Sequence, residues 1–173
     1  MRAVVVVESM FGNTRQVAEA IADGLRPALD AEVVDVGAAP EVIDRGVGLL
    51  VVGGPTHSLG MSRPASRAQA LQEAGTPDGS PAVGMREWLE HLSPVGAGVV
   101  TATFDTRMKS RWAGSAAASA SRLLHRRGVQ PLGPAHSFVV TAKAGPLAAG
   151  ELDRARAWGA ELAQLARTPA TGA

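Results

Sequence analysis

Three short apolar runs constrain the fold of this 173-residue chain more than any other feature of its sequence. They lie at residues 3–7, 47–52 and 98–103, and none of them contains a charged residue. Each run is short for a helix. If a run forms a strand, neither of its two faces carries a charge. This pattern is typical of strands that are buried on both faces of a parallel sheet.

Helical patterns alternate with these strands along the chain. From Thr14 to Leu25, apolar residues recur at steps of three and four; Asn13 is the expected cap and Pro27 the expected stop. Four further helices are predicted, at 63–74, 85–92, 115–127 and 150–167. The remaining strands are predicted as an edge strand at 32–36 and a fifth strand split into 129–132 and 137–141. Such alternation implies right-handed crossovers and a parallel sheet with helices on both faces.

Length and composition predict one globular domain at 1–167, followed by a frayed tail at 168–173. The chain has no cysteine, which excludes disulfides and cysteine-ligated metals. Its net charge of +1 and scattered arginines argue against a nucleic-acid surface. No apolar segment approaches the roughly 18 residues of a membrane span, and the first residues lack a signal-peptide pattern. We therefore expect a cytoplasmic protein without nucleic-acid or membrane partners.

The loop between the first strand and the first helix is the strongest candidate for a binding site. It consists of Ser9, Met10, Phe11, Gly12, Asn13 and Thr14. Ligands of open α/β sheets bind at the carboxyl ends of strands, and a turn that leads into a helix directs N–H groups and the helix dipole at one spot. Gly12 would allow close approach, and the hydroxyls of Ser9 and Thr14 suit a phosphate. The alternative is that these residues only form the turn and cap the helix.

Two more candidate loops follow strand ends. The second consists of Pro55, Thr56, His57, Ser58, Leu59 and Gly60. The third is predicted at 104–107, and its candidate site residues, with the preceding threonine, are Thr103, Phe104, Asp105 and Arg107. Ordinary structural roles stay open for them: Gly60 as a turn glycine, His57 as a solvated side chain, Phe104 as a core residue, and Arg107 as a solvated cation or a partner of Asp105.

Several other chemistries lack their motifs. The chain has no G-x-x-x-x-G-K-[ST] loop and no G-x-S-x-G elbow, and its paired glycines precede strands instead of following them. Its four histidines show no metal-ligand spacing. The sequence therefore predicts neither catalytic acid–base or nucleophilic residues nor a metal site.

In its first loop, its strand order and its length, the sequence resembles the flavodoxin family. That family's phosphate loop has the pattern [ST]-x-T-G-N-T, and the residues that match it in place are Ser9, Gly12, Asn13 and Thr14. Phe11 replaces a threonine of the pattern, which is similar to flavodoxin-like NAD(P)H:quinone oxidoreductases and to the flavodoxin modules of diiron flavoproteins. The resemblance implies an α/β three-layer sandwich with a five-stranded parallel sheet of order 2-1-3-4-5 and helices on both faces.

The same resemblance implies flavin mononucleotide (FMN) as the cofactor. Its phosphate would lie at the first loop and its ring between the second and third loops, where Gly60 would let a peptide rotate toward the flavin. Many flavodoxins stack the ring between a tryptophan and a tyrosine. This chain has no tyrosine, and its tryptophans lie on or beside predicted helices: Trp88, Trp112 and Trp158. His57, Phe104 and Trp112 are the substitutes that the sequence offers.

The implied function is that of an FMN-binding redox protein, either an electron carrier or an NAD(P)H-dependent reductase of a small acceptor such as a quinone. Cations after the third loop would favour reduced flavin or attract a nicotinamide nucleotide: Arg107, Lys109 and Arg111. The missing aromatic pair leaves two alternatives. The fold has lost FMN binding and serves as an interaction or regulatory module, or a neighbouring subunit completes the flavin site. The redox partner and the oligomeric state stay open.

Overall fold

The computed structural model describes residues 1–57, 60–74, 83–96, 98–109 and 114–168. Its strands, in chain order, are β1 (Arg2–Val7), β2 (Asp30–Asp35), β3 (Val47–Pro55), β4 (Val100–Met108), β5 (Gln130–Pro131) and β6 (His136–Val140). Its helices are α1 (Asn13–Leu25), α2 (Pro64–Ala74), α3 (Met85–His91), α4 (Ala116–Arg126) and α5 (Glu151–Arg167).

The strands form a parallel sheet in the order β2-β1-β3-β4-β5, and β6 also pairs with β4. The two-residue strand β5 pairs with Val100 and Thr101 at the start of β4, whereas β6 pairs with its second half, from Phe104 to Met108. The predicted sheet order and the split fifth strand are therefore confirmed.

Helices cover both faces of the sheet because β1 and β3 are apolar on both sides. Alternate residues of β1 face opposite directions. Ala3, Val5 and Val7 pack in a core with α1 and α5, while Val4 and Val6 belong to a second core with α3 and α4. This arrangement confirms the predicted three-layer α/β sandwich.

Helices α1 and α5 approach each other through two glycines. A Cβ atom on Gly24 would clash with the carbonyl oxygen of Arg156 and lie 2.8 Å from the amide nitrogen of Ala160. A Cβ atom on Gly159 would clash with the carbonyl oxygen of Ile21. The backbones of the two helices therefore touch, which fixes the position of α1 on the sheet.

Two local predictions are wrong. Gly12, with a φ of 83°, is the N-cap of α1, and Asn13 is already helical. Residues 104–107 do not form a loop, because β4 continues to Met108 and stays paired with β3 as far as Thr106 and with β6 throughout this segment. Asp105 is an unfavourable strand residue, but its carboxylate accepts the Ala117 N–H at the start of α4 (3.1 Å), so the strand does not end there.

Candidate functional site: a cleft at the carboxyl ends of the strands

A cleft of about 460 Å³ opens at the carboxyl ends of β1, β3, β4 and β6. Residues predicted from the sequence line it from the first and second loops and the end of β4: Met10, Phe11, Asn13, Thr14, Pro55, Thr56, His57 and Arg107. Residues that the sequence prediction missed complete the lining: Ser66, Gln69, Thr106, Met108, Val140 and Lys143. The cleft lies where an open α/β sheet binds its ligands.

The turn between β1 and α1 offers backbone N–H groups beside this cleft. Within the described residues, the amides of residues 10–14 donate no hydrogen bond. The next two amides are satisfied, because Arg15 N donates to Ser9 Oγ (3.3 Å) and Gln16 N donates to Gly12 O (3.0 Å). The left-handed conformation of Gly12 makes this geometry possible. The turn can therefore bind an anionic group, as helix N-termini commonly do.

Two of the predicted first-loop residues have structural roles at this turn. Ser9 is buried, and its hydroxyl caps α1 at Arg15. Gly12 faces a separate groove beside α1 and α5. The Ser9 hydroxyl, which the sequence suggested as a phosphate ligand, therefore already accepts a hydrogen bond from a backbone N–H.

Thr14 and Thr106 join the turn to the end of β4. Their Oγ1 atoms lie 2.7 Å apart, and both residues line the cleft. Thr106 O also accepts a hydrogen bond from Thr56 N (2.9 Å). Thr106 was not among the predicted site residues because the sequence offers no sign that β4 extends this far; once it does, side-chain alternation places Thr106 on the opposite face from Asp105.

Phe104 lies in the core instead of the cleft. Its side chain is 0% exposed, and its ring packs edge-on against Phe138 and Trp158, at centroid distances of 6.2 and 6.4 Å. Gly53 makes room for it, since a Cβ atom there would clash with the ring. Phe104, one of the substitutes suggested for the flavin-stacking aromatics, is therefore a core residue, and so is Trp158.

Asp105 and Thr103 are also buried and do not line the cleft. Oδ2 of Asp105 accepts hydrogen bonds from Thr56 Oγ1 (3.0 Å), Ser115 Oγ (2.6 Å) and Ala117 N (3.1 Å). The carboxylate therefore anchors α4 to the ends of β3 and β4. The suggested pair between Asp105 and Arg107 is not formed, and Arg107 Nη1 instead donates to Gly114 O (3.3 Å).

His57 and Gly60 pair with each other through their backbones just after β3. His57 N donates to Gly60 O (2.9 Å), and Gly60 N donates to His57 O (3.1 Å). Ser58 and Leu59 lie outside the described residues, as do Arg111 and Trp112. Gly60 does not have a positive φ; a Cβ atom on it would lie 3.4 Å from Ser119 Oγ, so close packing against α4 is its visible constraint. Peptide rotation at Gly60 stays a prediction.

The surroundings of His57 favour its neutral imidazole. Burial lowers the pKa of His57 below its ordinary value, and the positive charges of Lys143 and Arg67 lower it further. A neutral ring at the cleft wall can accept or donate a hydrogen bond without adding charge.

A buried polar network ties β1 to α2 and α3. Arg67 of α2 is 1% exposed, and its Nη1 atom donates to Ser62 Oγ (3.0 Å) and lies 3.1 Å from Glu87 Oε2. Glu8, the residue before the β1–α1 turn, is also buried and accepts a hydrogen bond from Met85 N (2.6 Å). This network positions α2, which carries Ser66 and Gln69, beside the cleft.

The segment after β6 forms another wall of the cleft. Lys143 Nζ lies 2.6 Å from Glu73 Oε2 on α2, and Asn13 Nδ2 donates to Ala144 O (3.0 Å). These contacts join residues that are 70 and 131 positions apart. No local sequence signal points to such pairs, which is why the prediction missed Lys143.

Comparison with known proteins identifies the fold. No protein-family model and no curated protein sequence matches the chain. Solved structures do: a flavodoxin from the domain Archaea shares 20% identity, with a TM-score of 0.68 over 97% of this chain and 100% of that one. A flavodoxin from Streptococcus pneumoniae TIGR4 shares 17% identity, with a TM-score of 0.62 over 95% of this chain and 99% of that one.

A flavodiiron protein has the same unit within a longer chain. The flavodiiron core of Flv1 from Synechocystis sp. PCC6803 shares 14% identity with a TM-score of 0.64, and the match covers 96% of this chain but 36% of that one. The protein therefore has a flavodoxin-like fold, as the phosphate-loop resemblance implied. No helix among the described residues is long and apolar enough to cross a membrane.

Proposed function

We propose that this protein binds FMN in the cleft and acts as a redox protein, transferring electrons or reducing a small acceptor. The observation that carries the proposal is the β1–α1 turn, where Gly12 has a φ of 83° and the amides of residues 10–14 have no acceptor among the described residues. This turn stands beside a cleft of about 460 Å³ at the strand ends. The flavodoxin-like fold supports the same assignment.

The lining residues fit a ligand that is apolar on its faces and anionic at one end. The hydroxyl groups of Thr14 and Thr106 lie 2.7 Å apart beside the turn, and none of the described lining residues is an aspartate or glutamate. Apolar surface comes from the side chains of Met10, Phe11, Pro55, Met108 and Val140. The residues present therefore suit both the phosphate and the ring of FMN.

The chain's own residues would bind and orient the cofactor. The turn amides would hold the phosphate, the neutral His57 would offer a hydrogen bond, and the apolar side chains would limit water. When bound, FMN supplies the one- and two-electron chemistry, whereas the protein sets its orientation and electrostatics. No acid–base side chain is required from the chain for this function.

The described lining gives a specific reason to keep a second candidate, an interaction or regulatory module without flavin. Phe11 and His57 are the only aromatic side chains among the described lining residues. Trp88 and Trp158 are buried in the two cores. Aromatic stacking contributes about 1–3 kcal/mol per stacked base in comparable sites. Because the described lining residues include no tryptophan–tyrosine pair, FMN affinity should be modest.

Titration of the apo-protein with FMN separates these candidates, with Gly12→Ala as the test variant. Alanine at this left-handed position strains the turn, so FMN affinity should fall about tenfold. Gly128→Ala is the matched control, because Gly128 has a φ of 78° and open space around it but lies after α4 at the other end of the sheet.

Quenching of FMN fluorescence by the wild type and by Gly128→Ala, with weaker quenching by Gly12→Ala, supports the proposal. Failure of the wild-type protein to bind FMN at micromolar concentration would leave the interaction module. NADPH oxidation in the presence of a quinone then distinguishes a reductase from an electron carrier.

A further inference from the structure

Lys143 lines the cleft from a segment that none of the three predicted binding loops includes. Its Nζ atom lies 2.8 Å from Oε1 and 2.6 Å from Oε2 of Glu73, on α2. The two side chains are 56% and 40% exposed. Exposed ion pairs are weak because water screens both charges, so Lys143 can change partners at little cost.

The backbone next to Lys143 packs directly on the binding turn. Asn13 Nδ2 donates to Ala144 O (3.0 Å), and a Cβ atom on Gly145 would clash with the Asn13 side chain. Consecutive Cα atoms are about 3.8 Å apart, so Lys143 stands one residue from this contact. From this position its flexible four-carbon side chain can turn the ammonium group toward the turn.

Lys143 is one of two cations among the described residues that line the cleft. The described lining residues include Arg107 and Lys143 but no carboxylate. The guanidinium of Arg107 already donates to Gly114 O (3.3 Å). Lys143 acts on the cleft even in its present position, because its charge contributes, after burial, to the lowered pKa of His57.

We propose that Lys143 is a specificity residue that leaves Glu73 and binds the phosphate of a phosphomonoester held at the β1–α1 turn. A phosphate dianion carries more charge than a carboxylate and accepts charge-assisted hydrogen bonds, so it can compete with the weak exposed pair for the ammonium group. The site then discriminates FMN from unphosphorylated riboflavin through this lysine as well as through the backbone amides. This inference rests on the proposed function, since FMN is the phosphomonoester concerned.

The test compares the affinities of FMN and riboflavin for Lys143→Gln and for Arg126→Gln. Arg126 is exposed in the last turn of α4 and does not line the cleft, so its substitution removes the same charge away from the site. Lys143→Gln should weaken FMN about tenfold and leave riboflavin unchanged, the size of one charged hydrogen bond. Arg126→Gln should change FMN affinity less than twofold. Equal losses in both variants would overturn the proposal, because they would indicate a general charge effect.

The substitution Glu73→Gln should change FMN affinity in the opposite direction. Removal of the competing carboxylate should strengthen FMN binding about threefold. In the Lys143→Gln background the same substitution should have no effect, since the competition exists only while the lysine is present. A gain from Glu73→Gln that persists without Lys143 would contradict the exchange.

Inorganic phosphate separates a failure of this inference from a failure of the proposed function. Thermal unfolding is measured in phosphate and in chloride at equal ionic strength. If the wild type does not bind FMN but is stabilised by phosphate, and Lys143→Gln loses that stabilisation, the role of Lys143 holds while the FMN assignment fails. The role of Lys143 is overturned if phosphate stabilises the wild type and Lys143→Gln equally, and also if it stabilises neither protein.

Discussion

Glu8 is a buried carboxylate directly before the binding turn. Its Oε2 atom accepts a hydrogen bond from Met85 N (2.6 Å), while its Oε1 atom has no partner among the described residues. Burial raises the pKa of Glu8 above its ordinary value of 4.5, and the Met85 N–H, the Ser62 hydroxyl and the charge of Arg67 only partly oppose this. Glu87, the other nearby carboxylate, adds to the increase. The ionised form of Glu8 is therefore disfavoured in the folded state.

This residue predicts a pH dependence of stability. The folded protein binds the Glu8 proton at a higher pH than the unfolded chain, so the wild type should gain stability relative to Glu8→Gln as pH falls through the raised pKa. The gain should be complete below pH 4.5, the ordinary value, where the unfolded chain is protonated too. Chemical denaturation of both proteins across this range measures the difference, and a difference independent of pH would contradict the assignment.

At the scale of elements, the contact between α1 and α5 depends on Gly24 and Gly159. Alanine is favoured over glycine inside a helix by about 1 kcal/mol. At Gly24, however, the added methyl would meet backbone atoms of α5, which cannot rotate away. The clash therefore outweighs helix propensity.

We expect Gly24→Ala to lower the free energy of unfolding by about 1–3 kcal/mol, the range for overpacked sites. Gln16→Ala is the control, because Gln16 is exposed on the same helix and should change stability by no more than about 0.5 kcal/mol. Urea denaturation of both variants checks this. A Gly24→Ala variant as stable as wild type would show that the two helices can separate without loss.

The elements also show which parts of the fold the sequence predicts. Apolar runs and helical spacing are local signals, and they located the strands and helices, including α1 and the split fifth strand. The end of β4 depends on pairing with β6 and on the hydrogen bond from Ala117 N to Asp105, both of which are contacts with distant residues. Local patterns therefore predicted a loop where the strand continues.

The candidate site divides in the same way. The β1–α1 turn is continuous in sequence, so its strand–glycine–helix pattern was sufficient to predict it. Ser66 and Gln69 enter the cleft because Arg67 holds α2 in place, and Lys143 enters because Ala144 contacts Asn13. Such residues carry no motif, because the folded chain alone brings them together.

At the scale of the whole molecule, ligand binding and folding are linked. A ligand that binds only the folded state adds about 2.7 kcal/mol to the free energy of unfolding at 100 times its dissociation constant. FMN at that ratio should therefore raise the melting temperature of the wild type by several degrees. The free energy that FMN adds depends on the ratio of its concentration to its dissociation constant and not on the stability of the rest of the chain.

The variant Gly24→Ala tests whether FMN binding stabilises the protein independently of the contact between α1 and α5. Gly24 lies at the end of α1 opposite the turn, about 16 Å away along the helix, so the two effects should add. FMN should then raise the unfolding free energies of the wild type and Gly24→Ala by the same amount, measured by urea denaturation at equal saturation. A smaller gain in the variant would mean that the contact between α1 and α5 shapes the turn itself, and no gain in either protein would argue against FMN as the ligand.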